Sequence, residues 1–325
     1  MPRSFILPPP VRRTARQMGV GRALLRIRAL QAITLRGAIA TARGKATHLP
    51  RILSVRPIPA GDGHLEVHML LHHQRLLEGI WALYSFAHFS QLSCRIFVHS
   101  DGSLTRDDAL RLQQVLPGAQ VISRDEADHK VVSHLRNLGL STSIRFRDQL
   151  VFARKLFDPF FYGEQAGFFL LDSDVLFFRR PGELLDDVHQ PGDGEPLSLY
   201  SPDNGFRYCL GPETLRALLG QECIANFNPG VVRTGRSVLD LARIEYFLQR
   251  PEFWGSSARP HYYGELTLWA MQLTAAGARQ LPASYAITPP LDGPVPVSGH
   301  FCGGGYPATW FYSRGLPQLA REFGI

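Results

Sequence analysis

The sequence predicts an α/β domain: a mostly parallel sheet flanked by helices, preceded by a basic helical arm. Three observations carry this expectation. Strand-like and helix-like stretches alternate after residue 64, which is the pattern of a parallel sheet with crossover helices. The run from Gly167 to Pro181 is apolar on both sides of Asp172-Ser-Asp174, as in a strand buried on both faces. The third is the distribution of charge. The chain carries a formal net charge of +7 over 325 residues, yet the segment ending at Arg56 holds twelve Lys and Arg and no acid. Subtracting those twelve leaves about −5 for the remainder. The basicity belongs to an N-terminal arm, and a nucleic-acid partner, which would want a basic folded surface, is not expected.

The arm and linker take residues 1–60 and the globular domain residues 61–325. Pro8-Pro9-Pro10 opens the arm. From Thr14 to Thr47 proline is absent, and Val20, Leu24, Ile27 and Leu30 recur at helical spacing opposite Arg22 and Arg26. Such a helix suits the headgroup layer of an anionic membrane, each basic residue adding roughly 1 kcal/mol. It equally suits docking on its own domain or a twin subunit, and an Arg-rich, acid-free start is also the composition of a transit peptide. Pro50 to Gly63 reads as a linker. No window holds 18 uncharged apolar residues, so no span is expected. Four cysteines without regular spacing point to free thiols in a reducing compartment, hence to a cytoplasmic protein or one associated with a membrane at its cytoplasmic face.

In the domain, residues 64–71 form a first strand, 74–90 a helix, 94–99 a second strand closed by Ser100-Asp101-Gly102, 105–116 a helix, and 119–122 a third strand. Residues 144–157 read as one helix, whose Arg145, Arg147, Arg154 and Lys155 suit a solvated face, with Arg154 and Lys155 also placed to reach a diphosphate. Ligands in such sheets sit beyond the strand carboxyl ends. That rim would carry His72-His73, Ser100-Asp101 and Asp172-Ser-Asp174.

Two carboxylates in an apolar setting need neutralising. A hard divalent cation completed by phosphate oxygens suits them; the plain alternative is a turn cap. Haloacid-dehalogenase-like phosphatases also place Asp-x-Asp on a buried strand, with Asp172 as nucleophile. In that family the strand opens the core and a further acidic pair comes late, whereas here 170 residues precede the motif and Asp186-Asp187 follows at once. The Gly-rich signatures of dinucleotide and phosphate loops are missing.

From Arg154-Lys155-Leu156 onward the chain resembles the glycosyltransferases of the nucleotide-diphospho-sugar, or GT-A, fold. It is closest in pattern to the retaining glycogenin-like and lipopolysaccharide-galactosyltransferase-like group. The landmarks are that helix with the strand Phe168–Leu176, Asn226-Phe-Asn-Pro-Gly-Val-Val232, Tyr262-Tyr-Gly-Glu-Leu-Thr-Leu-Trp269, and His300-Phe-Cys-Gly-Gly-Gly-Tyr-Pro307. The resemblance implies a Rossmann-like sheet and transfer of a hexose from a nucleoside diphosphate sugar, a UDP-sugar first, to a glycan, lipid or protein acceptor. It implies that Asp172, Asp174 and His300 hold Mn2+ or Mg2+. Lys155, Ser173, Asn228, Gly230, Gly303 and Gly304 would line the donor, with Glu265 in the place of the family's Asp near the anomeric carbon as the candidate catalytic residue. A solvent-loop role for His300 and a plain strand turn at Asn228 and Gly230 are the alternatives. Leu266 stands where the family has Gln, and Tyr306 where it has a lysine on the leaving diphosphate; Arg314 or Lys155 could replace that lysine. These departures also leave room for a member that binds nucleotide sugar without turnover. Trp254, Tyr262 and Tyr263 are candidates for the acceptor side.

Overall fold

The structure, a computed structural model, describes residues 35–61, 63–186, 196–203, 205, 207–255, 259–287, 294–302 and 306–325. The arm's proposed amphipathic stretch before residue 35 and the glycines 303–305 lie outside the described residues.

Strands β1 (Leu65–Leu71), β2 (Cys94–Ser100), β3 (Gln120–Ile122) and β4 (Gly167–Leu171) lie parallel in one sheet. β6 (Leu199–Pro202), β7 (Phe227–Gly235) and β8 (Arg279–Gln280) complete it in the order β3-β2-β1-β4-β7-β6-β8. Only β7 runs against its neighbours. Strand alternation explains why both faces are apolar. Val67, Met69 and Leu71 enter the same core as Phe169, while Phe168 and Leu170 enter the core on the opposite face. Helix α1 (Leu35–Arg43) precedes the sheet. Helices α2 (Leu76–Ser90) and α3 (Arg106–Val115) connect β1 to β2 and β2 to β3. The start of α3 is local chemistry, a reciprocal capping box between Thr105 and Asp108.

The apolar run around Asp172 is not one strand. After β4 the chain turns, with Val175 N–H donating to the Asp172 carbonyl. It then forms β5 (Val175–Phe177), which joins β9 (Tyr285–Ile287) and β10 (Ser298–His300) in a second, small sheet. The two acids therefore sit at the junction of two sheets, where the main chain leaves one ladder for the other.

Two further expectations are corrected. Residues 49–61 are not a free linker: Ile52 and Val55 are buried in the main core, and the backbone of Ile58, Ala60 and Gly61 hydrogen-bonds to Val115, Pro117 and Cys94. Proline and glycine content sets local conformation, not whether the interspersed aliphatics find a core. The helix expected over 144–157 is two, α4 (Ser141–Gln149) and α5 (Ala153–Phe157), broken where Leu150 is extended. Residues seven apart on one helix lie about 10 Å apart along its axis. The break lets Arg147 and Arg154 converge on one oxygen of Asp128, at 2.6 and 2.9 Å. Arg147, Arg154 and Lys155 are consequently buried, not on a solvated face. α6 (Pro212–Leu219), α7 (Leu241–Leu248), α8 (Gly264–Ala275) and α9 (Leu316–Glu322) complete the helices named here.

Candidate active site

The carboxyl ends of β1, β2 and β4 open on a cleft of about 320 Å³ lined by His72, Arg75, Asp101, Lys155, Asp172 and Ser173, among others. Asp174 also lines it, and Val151, Phe152 and Tyr262 form an exposed apolar lip. Phe152 and Tyr262 meet edge to face with centroids 5.9 Å apart. Of the aromatics proposed for the acceptor side, Tyr262 thus borders the cleft. Trp254 instead lies under the Arg145 guanidinium at 4.3 Å, and Tyr263 packs against Tyr262.

Each acidic group is held by a different element. Asp172 closes β4, its N–H donating to the Gly230 carbonyl of β7, and Lys155 of α5 donates to its Oδ1 at 2.9 Å. Asp174 faces β10. Its carbonyl accepts from Phe301 N–H, and its Oδ1 lies 2.9 Å from His300 Nε2. His300 Nε2 is also 3.8 Å from Asp172 Oδ2. Behind the ring, His300 Nδ1 is 2.8 Å from Asn228 Oδ1, an acceptor-only oxygen that therefore takes an N–H from Nδ1. Asn228 Oδ1 also accepts from Gly230 N–H. Gly230 has to be glycine for space: a Cβ there would lie 2.3 Å from His300 Nδ1. Asn228 and Gly230 thus act on the ring from behind, while Gly303 and Gly304 lie outside the described residues, as does the side chain of Tyr306.

Among the described residues, Asp172, Asp174 and His300 are the cluster that could hold a metal ion, with one ligand atom from each within 4.8 Å of the others. Two carboxylates and an imidazole whose second nitrogen is fixed by a hydrogen bond suit Mn2+ or Mg2+. Burial alone would lower the His300 pKa, but Asp174 holds it well above the usual histidine range. Burial likewise opposes charge on Lys155, yet Asp172 and Glu265 outweigh it and raise its pKa. His300 would ligate through Nε2 and Asp172 through Oδ2, which lies 3.8 Å from that nitrogen while Oδ1 stays with Lys155.

Glu265 opens α8 directly behind Lys155 and is buried, with Oε1 lacking a hydrogen-bond partner. Burial pushes its carboxyl up to about 7, with Lys155 opposing and Asp172 reinforcing the shift. Because this folded-state pKa exceeds the usual 4.5, the folded chain holds the proton more tightly than the unfolded one. The Glu265 contribution to stability is therefore fully present below about pH 4.5, is lost as pH rises toward 7, and changes no further above. The full loss is on the order of 3 kcal/mol. Glu265→Gln, which cannot ionise, is expected to remove that decline in urea denaturation of the metal-free protein at pH 5 and pH 8. Identical pH slopes for variant and wild type would refute the assignment.

The sequence reading missed two contributors. Arg75 lines the cleft and donates to the Tyr312 hydroxyl at 3.2 Å. Its signal was available, because Arg75 is the N-cap of α2, where the helix dipole disfavours a cation. Asp203, whose Oδ2 accepts from Asn228 Nδ2 at 3.4 Å, gave no comparable signal.

The fold is that of the GT-A glycosyltransferases. An active-site variant of LgtC superposes with a TM-score of 0.50 at 13% identity, over 79% of this chain and 96% of that one. The bifunctional glycosyltransferase WbbM gives 0.50 at 14% identity, over 82% of this chain and 52% of WbbM, so the likeness spans about half of that protein. A complex of the galactosyltransferase LgtC with donor and acceptor sugar analogues gives 0.49 at 14% identity, over 79% and 96%. No family model matches the sequence, and no curated protein matches it.

Proposed function

We propose that the protein is a metal-dependent glycosyltransferase moving a hexose from a nucleoside diphosphate sugar, a UDP-sugar in the first instance, to a glycan, lipid or protein acceptor. The observation that carries this reading is the Asp172, Asp174 and His300 cluster at the carboxyl rim of a GT-A sheet, beside an open cleft. A bound Mn2+ or Mg2+ supplies Lewis-acid stabilisation of the departing diphosphate. Asn228 holds the His300 tautomer that leaves Nε2 for ligation. Lys155, paired with Asp172, is the buried cation whose charge Glu265 also favours. Glu265, buried behind Lys155 and not among the residues that line the cleft, acts on the reacting centre through Lys155, and the proposed outcome is retention.

The test is nucleoside diphosphate release from a panel of UDP-, GDP- and ADP-sugars with Mn2+, with product configuration read by NMR. Release from one donor class, suppressed by EDTA, is expected. Phosphate release from an aryl phosphate instead would favour the phosphatase reading, for which no feature of the cleft argues. Tight nucleotide binding without release or transfer would favour the binding-only reading kept open by Leu266 and Tyr306.

The basic arm is proposed to draw the enzyme to an anionic membrane surface at the cytoplasmic face. In support, Gly44 packs tightly against the Tyr312 carbonyl, and Lys45 Nζ lies 4.4 Å from the Tyr312 ring centroid. The arm thus joins the domain at the segment that also touches Arg75 in the cleft wall, with Arg43, Lys45 and Arg51 exposed. No helix among the described residues is long and apolar enough to cross a membrane. The full chain is expected to float with phosphatidylglycerol vesicles at low salt and not with phosphatidylcholine alone. Equal recovery with both would remove the proposal.

A further inference from the structure

We propose that Arg75 is the cation that grips the leaving diphosphate, an assignment that rests on the transferase reading above. The charge balance of the cleft requires such a group. Asp101, Asp172 and Asp174 line it, and a divalent ion together with Lys155 only cancels these three acids, leaving no net positive charge for the phosphates. Among the described residues, the Lys and Arg that line the cleft are Lys155 and Arg75. Lys155 is buried and committed to Asp172. Arg314, the other substitute that the sequence suggested, is stacked on Trp310 with its guanidinium 4.3 Å from the ring centroid.

Arg75 is placed for the task by three features. Its side chain is 36% exposed, unlike that of Lys155 at 6%. Its orientation is set in advance: Nη1 donates to the Tyr312 hydroxyl at 3.2 Å, and that hydroxyl donates to the buried Glu78 Oε1 at 2.6 Å. This bond uses one of five guanidinium N–H donors, and the fork geometry suits phosphate oxygens. Finally, Arg75 is the N-cap of the fifteen-residue α2 and has no side-chain capping bond. The helix dipole penalises a cation there in the free protein, and an anion arriving beside it relieves the penalty. Glu78, 3.6 Å away, belongs to the same first turn and anchors Tyr312, so it positions the guanidinium as well as partly offsetting its charge.

The test compares UDP with UMP by isothermal titration in Mn2+, for wild type, Arg75→Gln, Arg75→Lys and Tyr312→Phe. Arg75→Gln is expected to weaken UDP by at least about tenfold, the worth of one charge-assisted contact, while UMP changes less, so that the UDP/UMP preference collapses. Arg75→Lys restores part of it. Tyr312→Phe keeps the charge but frees it, and gives an intermediate loss. Mn2+ affinity without nucleotide, read by EPR, does not fall, because removing a cation near Asp174 cannot weaken cation binding there. Equal weakening of UDP and UMP, or no weakening, overturns the assignment and leaves the transferase reading standing. Wild-type protein that binds none of UDP, GDP or ADP overturns both. Should Arg75→Gln fail to fold, Arg75→Lys and Tyr312→Phe carry the same comparison.

Discussion

Asp174→Ala is expected to abolish the stabilisation that UDP confers in the presence of Mn2+. The carboxylate is the group in the β4–β5 turn that meets His300 of β10, and without it the ion would rest on Asp172 and the imidazole alone. At a free UDP concentration of a hundred times Kd the wild-type protein gains about 2.7 kcal/mol. For a domain of this size that corresponds to a Tm increase of roughly 5–10 °C. Scanning fluorimetry with Mn2+, UDP, both and neither reads the effect directly. The wild type should respond to UDP only with the ion, and the variant should respond to neither combination. A variant that keeps the full UDP-dependent increase would show that the two acids do not bind the ion through which the diphosphate is held. The ligand-free Tm of the variant is the control for folding, since removing Asp174 also takes a partner from the His300 imidazolium.

Arg147→Ala should carry the largest cost in stability. Its guanidinium makes a two-pronged pair with Asp158, at 2.6 and 2.9 Å, and both side chains are about 1% exposed. Nη1 reaches on to Asp128, which also receives Arg154. Truncation leaves Asp158 charged or forced to take up a proton in a dry site. Removing one partner of such a pair costs about 3–5 kcal/mol. The corresponding Tm loss is on the order of 10 °C. The same network fixes α4 against α5, and α5 carries Lys155, so UDP affinity should fall in the variant beyond what unfolding explains. Arg147→Lys keeps a charge without the fork and is expected to recover part of the stability. A Tm within a degree of wild type for Arg147→Ala would mean that the network contributes no net stability.

The parts of the domain that were legible in the sequence are those built by neighbours in the chain. The strand over 64–71, the helices over 74–90 and 105–116, and the turn at Ser100-Asp101-Gly102 each arise within one element or one turn. The Asp172, Asp174 and His300 cluster was legible for a different reason: acids between apolar runs are costly enough to demand an explanation, and the resemblance supplied His300 as their partner. The misreadings share a cause. Arg147, Arg154 and Lys155 look like any solvated basic face until Asp128, Asp158 and Asp172 are brought to them. The helix break at Leu150 likewise follows from that convergence and not from a breaker residue. Ile52 and Val55 look like linker residues until the core closes over them.

By itself the sequence determined the alternation of elements, the apolar walls of β4 and the identity of the acids, because backbone periodicity and desolvation cost act locally. Only the tertiary structure decided what surrounds those acids. His300 comes from 126 residues beyond Asp174, and Arg75 is held by a tyrosine 237 positions away. Such pairings depend on where β5 leaves the main sheet to meet β10. That crossing is set by how two cores pack together, which no window of sequence contains.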